Sequence, residues 1–122
     1  MTTQAAPDAA ALEYFEQKLR YETTPFTLRY NLEKGKVFLL DPRDRADYEA
    51  EHIPGAVSIP LAEIEKSLDR LPKDKPIVAY GFHIACAFGP KACLVLAKNG
   101  LRPQELLGGL ELWKSKFPTE KA

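Results

Sequence analysis

Apolar residues recur along this chain at helical spacing in some stretches and in short unbroken runs in others. Leu12, Phe15 and Leu19 fall at i, i+3 and i+7, and Asp8 stands where a cap belongs; this predicts an amphipathic helix ending near Arg20. Thr24-Pro25 has the form of an N-cap followed by proline at the first helical position. Phe26, Leu28 and Leu32 supply the apolar content of this second helix, and Gly35 suits its C′ position. Both helices are expected to lie against a central sheet. Val37 to Leu40 is an apolar run too short for a helix and bounded by charge and Pro42, so it reads as a buried parallel-type strand. Asp44 is placed to cap a helix over Arg45–Ala50, with Tyr48 facing inward.

His52-Ile53-Pro54-Gly55 reads as a turn and Ala56 to Ile59 as a short strand. Leu61, Ile64, Leu68 and Leu71 return to a helical period, and Pro72 to Lys75 forms a polar turn. Ile77 to Tyr80 is the central strand, Gly81 to Gly89 a loop, and Pro90 opens a helix that Gly100 closes. A last strand is predicted over Gln104–Leu107. Gly108-Gly109 then breaks the chain, and a final helix over Leu110–Lys116 carries Trp113. Strands alternating with helices predict an α/β fold: a parallel sheet flanked by helices on both faces. No repeat, linker or composition shift divides the chain, so residues 1–122 read as one domain.

Composition narrows the class without naming it. Apolar content of 45% and charged content of 28% are those of an ordinary globular chain. Seventeen basic and seventeen acidic residues cancel, which leaves no electrostatic footprint for nucleic acid or an anionic membrane. The apolar runs are far too short to span a bilayer, and no basic-then-apolar leader is visible, so a cytoplasmic location is the expectation. Two cysteines, Cys86 and Cys93, form no disulfide framework and lack the company a metal site needs. No metal or cofactor is expected. Cys93, set among Leu94, Leu96 and Ala97, reads as a small core residue.

The chemistry concentrates between the central strand and the helix after it. Backbone N–H groups converge at such a junction, and the helix dipole favours an anion or a thiolate there. Cys86 lies inside this loop, and His83 and Lys91 flank it as possible electrostatic helpers.

Four stretches in this order resemble the rhodanese homology domain: LLDPRDRADYEAEHIPGAVSIPL at 39–61, LPKDKPIVAY at 71–80, KACLVLAKNGL at 91–101 and LLGGLELWKSKFP at 106–118. His-Ile-Pro-Gly-Ala before an apolar strand and Gly-Gly-Leu-x-x-Trp after the last strand are characteristic of that family. The likeness spans about 36–118, with residues 1–35 resembling the helical extension of a small single-domain bacterial branch. It implies a sulfurtransferase scaffold. In active members a cysteine directly after the central strand carries sulfur as a persulfide, taken from a donor such as thiosulfate. Here that position is Gly81.

Two readings follow. In the first, the domain has lost thiosulfate sulfurtransferase activity and serves in binding or regulation, with a protein as partner. In the alternative, Cys86 replaces the nucleophile in a low-activity thiosulfate:cyanide sulfurtransferase or persulfide carrier, serving a small sulfur-containing anion and a thiol acceptor. Its active-site loop would be Gly81, Phe82, His83, Ile84, Ala85, Cys86, Ala87, Phe88 and Gly89, supported by Asp41, Arg43 and Lys91. Thiol phosphatase chemistry is disfavoured, because the residue six on from Cys86 is Ala92 and from Gly81 is Ala87, where an Arg is needed. His52 and Trp113 read as structural.

Overall fold

The computed structural model describes residues 5–122. In chain order the elements are α1 (Ala9–Tyr21), β1 (Glu22–Thr23), α2 (Pro25–Glu33), β2 (Phe38–Asp41), α3 (Arg45–Ala50) and β3 (Val57–Ser58). Two 3-10 turns follow (Leu61–Lys66 and Leu68–Arg70), then β4 (Ile77–Ala79), α4 (Phe88–Lys98), β5 (Pro103–Leu106) and α5 (Gly109–Lys114). The five strands form one sheet in the order β1-β5-β4-β2-β3, and every pairing is parallel.

Period-2 alternation explains why the central strands are apolar throughout. Leu39 and Val78 face a core layer shared with Leu28 of α2 and with Leu110 and Trp113 of α5. Leu40, Ile77 and Ala79 face the other layer, beneath Ala92 and Leu96 of α4 and Ile64 of the 3-10 segment. A strand buried on both sides needs apolar residues at every position. The sheet thus presents the C-terminal ends of β2 and β4 to one edge, where Asp41 and the 81–87 loop meet.

Four expectations require correction. The apolar stripe of α1 does not lie against the sheet: Leu12, Phe15 and Leu19 are 53%, 57% and 79% exposed. The helix meets the body through its C-terminal end, where Gln104 Nε2 donates to Arg20 O at 3.2 Å. Strand β1 carries no sequence signal, being two polar residues that pair with β5 only because α1 and α2 deliver them to its edge. Residues 61–71 wind into two 3-10 turns rather than one α-helix, broken at Ser67, whose φ of −123° is non-helical. Lastly, α4 begins at Phe88, so Phe88 and Gly89 belong to its first turn, and Asp44 makes no side-chain cap on α3. Pro90 fits inside α4 because the first turn has no carbonyl partners for its N–H groups.

Candidate active site

The loop leaves β4 through Tyr80 and Gly81, and α5 holds its first residues. Leu110 N donates to Gly81 O at 2.9 Å and Glu111 N to Phe82 O at 2.8 Å. This close approach accounts for the second glycine of the pair, whereas a Cβ on Gly108 would run into Leu112 of α5. Gly109 has φ +60°, and a Cβ there would stand 2.5 Å from Gly81 O and 3.0 Å from His83 N. No other residue fits between the loop and α5.

Cys86 closes back over the strand end. Its N–H donates to His83 O at 3.0 Å in a tight turn. A Cβ built on Gly81 would lie only 2.7 Å from Cys86 Sγ and 3.3 Å from its Cβ. The Cys86 thiol therefore fills the space into which a side chain at position 81 would project. Both cysteines are free.

Cys86 borders a cleft of about 50 Å3 with Gly81, His83, Ile84, Glu105 and Gly109. That volume suits a water-sized guest. No lysine or arginine lines it. Lys91, expected to help, is exposed on α4 and does not reach it. The His83 ring is exposed, and its Nδ1 accepts from Ala85 N at 3.2 Å. Ile84 is 79% exposed, and Ala85 and Ala87 are exposed as well. Phe82 and Phe88 meet edge to face across the loop, with centroids 6.3 Å apart.

One charged residue lining this cleft, Glu105, was missed in the sequence. The register pairs Glu105 with Ala79, which belongs to the α4 layer, so the Glu105 side chain lies under the start of α4. Its Oε2 is 3.3 Å from where a Gly89 Cβ would be. Burial, followed by the nearby Glu22 carboxylate, raises the Glu105 pKa against the opposing pull of Lys18. Only the pairing of β5 with β4 reveals this; a glutamate in a mixed strand carries no local signal.

Asp41 and Arg43 form a buried framework rather than a reactive pair. Arg43 Nη2 donates to Asp41 Oδ2 at 2.8 Å and to Glu51 O at 2.6 Å, while Nε donates to Asp41 Oδ1 at 3.0 Å. The Tyr80 hydroxyl donates to Asp41 Oδ2 at 2.6 Å and accepts from Ile53 N at 3.2 Å. Burial and the Asp41 carboxylate drive the Tyr80 pKa far up. Burial pulls the Arg43 guanidinium down, but Asp41 more than offsets it. The guanidinium also lies 4.8 Å from the Phe82 ring centroid, so the network steadies the loop from below.

His52 is structural: Nδ1 donates to Tyr48 O at 2.7 Å and the ring stacks on Tyr48 at 3.8 Å. Trp113 is buried, with Nε1 donating to Pro118 O at 2.9 Å. Cys93 is half-buried against the α4 layer, and burial, aided by Glu105, pushes its thiol up to about 12. Among the described residues no group of His, Cys, Asp or Glu is arranged to hold a metal ion. None of the described helices is long and apolar enough to cross a membrane.

The family profile described as the rhodanese-like domain matches residues 24–116. The chain belongs to the rhodanese-like family. The crystal structure of the BH2092 protein from Bacillus halodurans superposes on this rhodanese-like domain with a TM-score of 0.86 and 37% identity. The match covers 93% of this chain and 85% of that one. Thiosulfate sulfurtransferase GlpE from Coxiella burnetii is 30% identical over 92 residues, 75% of this chain and 84% of that protein. The HTH-type transcriptional regulator Rv0324 from Mycobacterium tuberculosis is 38% identical over 82 residues, but this chain spans only 36% of its length.

Proposed function

We propose that this rhodanese-like domain does not turn over thiosulfate and works as a binding or regulatory module. One observation carries the reading: the position after β4 is Gly81, and the thiol that fills its side-chain space sits in a cleft lined by Glu105 and by no cation. Thiosulfate is a dianion. A site that takes it needs positive charge or converging N–H donors, whereas a carboxylate at the wall repels it. Likeness to a protein named thiosulfate sulfurtransferase supports the scaffold, and the altered loop argues against the activity.

A second reading has its own support in the position of Cys86. Its Sγ lies beside the point from which the family nucleophile would project, on a cleft at the loop. In that reading the Cys86 thiolate attacks the outer sulfur of thiosulfate. A new S–S bond forms, the S–S bond of thiosulfate breaks, and sulfite departs with the electron pair.

A thiosulfate:cyanide assay with mass spectrometry of the protein separates the two. The expected result is no turnover above background and no added sulfur on the chain. Turnover and a 32-Da adduct (about one sulfur atom), both abolished by Cys86→Ser, would overturn the binding reading and establish the relocated nucleophile.

A further inference from the structure

A second cavity, of about 300 Å3, lies where α3, the first residues of the loop and α5 meet. Of the residues bordering it, only His83 also borders the cleft at Cys86. Its volume is at the lower end of the range for small-molecule sites and suits a short stretch of chain better than a cofactor. Arg43 is the most deeply buried residue on its wall, at 1% exposure. Its Nε and Nη2 donate to Asp41, and Nη2 also to the carbonyls of Asp47 and Glu51. Nη1 bonds to nothing among the described residues. A guanidinium buried this far, with one nitrogen unpaired beside a cavity, is a donor that lacks its acceptor.

Around this donor the wall is acidic. Asp47, Glu51 and Glu111 border the cavity against Lys114, which Glu51 holds at 3.3 Å. Asp47 and Glu111 have no ion pair among the described residues. A simple anion drawn to Arg43 would meet these two free carboxylates, and a simple cation would leave Nη1 unpaired. What satisfies both is a group that brings an acceptor and a positive charge together.

Given the binding reading above, on which this site rests, we propose that the cavity holds an extended basic segment of a partner protein. One backbone carbonyl of that segment accepts from Arg43 Nη1. Its lysine or arginine side chains reach Asp47 and Glu111, and their apolar stems lie along Phe82 and Leu110.

Titration of the isotope-labelled full chain with acetyl-Arg-Leu-Lys-amide, followed by amide NMR spectra, tests this. Shifts are expected at Asp47, Glu51, Phe82, His83 and Glu111, with acetyl-Glu-Leu-Glu-amide causing none at the same millimolar concentration. Asp47→Asn/Glu111→Gln should weaken the basic peptide roughly fivefold or more, in a chain whose spectrum is otherwise unchanged. Asp47→Lys/Glu111→Lys should turn the preference to the acidic peptide. No shifts with the basic peptide, shifts confined to another face, an equal response to the acidic peptide, or unchanged affinity in the neutralised variant overturns the proposal. Free lysine binding as tightly as the tripeptide would overturn the partner protein in favour of a small molecule. The thiosulfate assay reads the underlying function separately. Turnover by a chain that still binds the peptide would sink the binding reading and leave this site standing, whereas a chain with neither turnover nor peptide binding would sink this site alone.

Discussion

Asp41→Asn removes one charge from the most buried polar cluster in the molecule while leaving its volume almost unchanged. Asp41 is 0% exposed and Arg43 1%, so the guanidinium left behind has no water to turn to. It keeps its bond to Glu51 O at 2.6 Å but loses the carboxylate that accepts from both Nε and Nη2. The Tyr80 hydroxyl, which accepts from Ile53 N, also loses its charged acceptor. Stranding one member of a buried ion pair typically destabilises by about 3–5 kcal/mol, a large share of the 5–15 kcal/mol that a small domain possesses. Urea unfolding followed by tryptophan fluorescence is a suitable readout, because Trp113 packs in the same core layer as Tyr80. With a slope of roughly 1–3 kcal/mol per M, the midpoint should fall by at least about 1 M. Adding Arg43→Met to Asp41→Asn should recover part of the loss, since it removes the stranded charge. An Asp41→Asn midpoint within about 0.3 M of wild type, or a double variant weaker than the sum of the singles, would refute the reasoning.

Gly81→Cys alone should destabilise by roughly 1–3 kcal/mol in the same unfolding assay, because its Cβ would stand 2.7 Å from Cys86 Sγ. Gly81→Cys/Cys86→Ala relieves the sulfur contact and should recover most of that stability; a fully stable single variant would show that the loop gives way freely. Burial and Glu22 raise the Glu105 pKa, so the folded state takes up a proton more readily than the unfolded one. Its stabilising contribution is complete below the ordinary glutamate pKa of about 4.3 and is lost as pH rises through the folded value. Glu105→Gln should therefore raise the unfolding midpoint at pH 7 with little effect near pH 4, and an equal shift at both would refute the assignment. Iodoacetamide at pH 8 should label Cys86 well before Cys93, whose thiol is pushed up to about 12, as peptide mass spectrometry would read.

What the sequence determines here is whatever depends on short-range pattern. The unbroken apolar runs at 37–40 and 77–80 announce strands buried on both faces, and period plus capping residues mark α1 and α2 within a residue or two. The glycine pair after the last strand marks a close approach, and a glycine directly after the central strand is legible without any coordinates. Exposure of a helix face lies beyond pattern: Leu12, Phe15 and Leu19 read identically whether a sheet, a second chain or water lies beyond them. Only the tertiary structure decides that α1 is left bare, that two polar residues become an edge strand, and that Lys91 does not line the cleft at Cys86. Only parallel register brings Glu105, nineteen residues after Cys86, to the wall of the same cleft, and only the loop's return places a thiol over a glycine. Local propensity is written residue by residue, whereas charge at a site is set by strands that meet across the sheet.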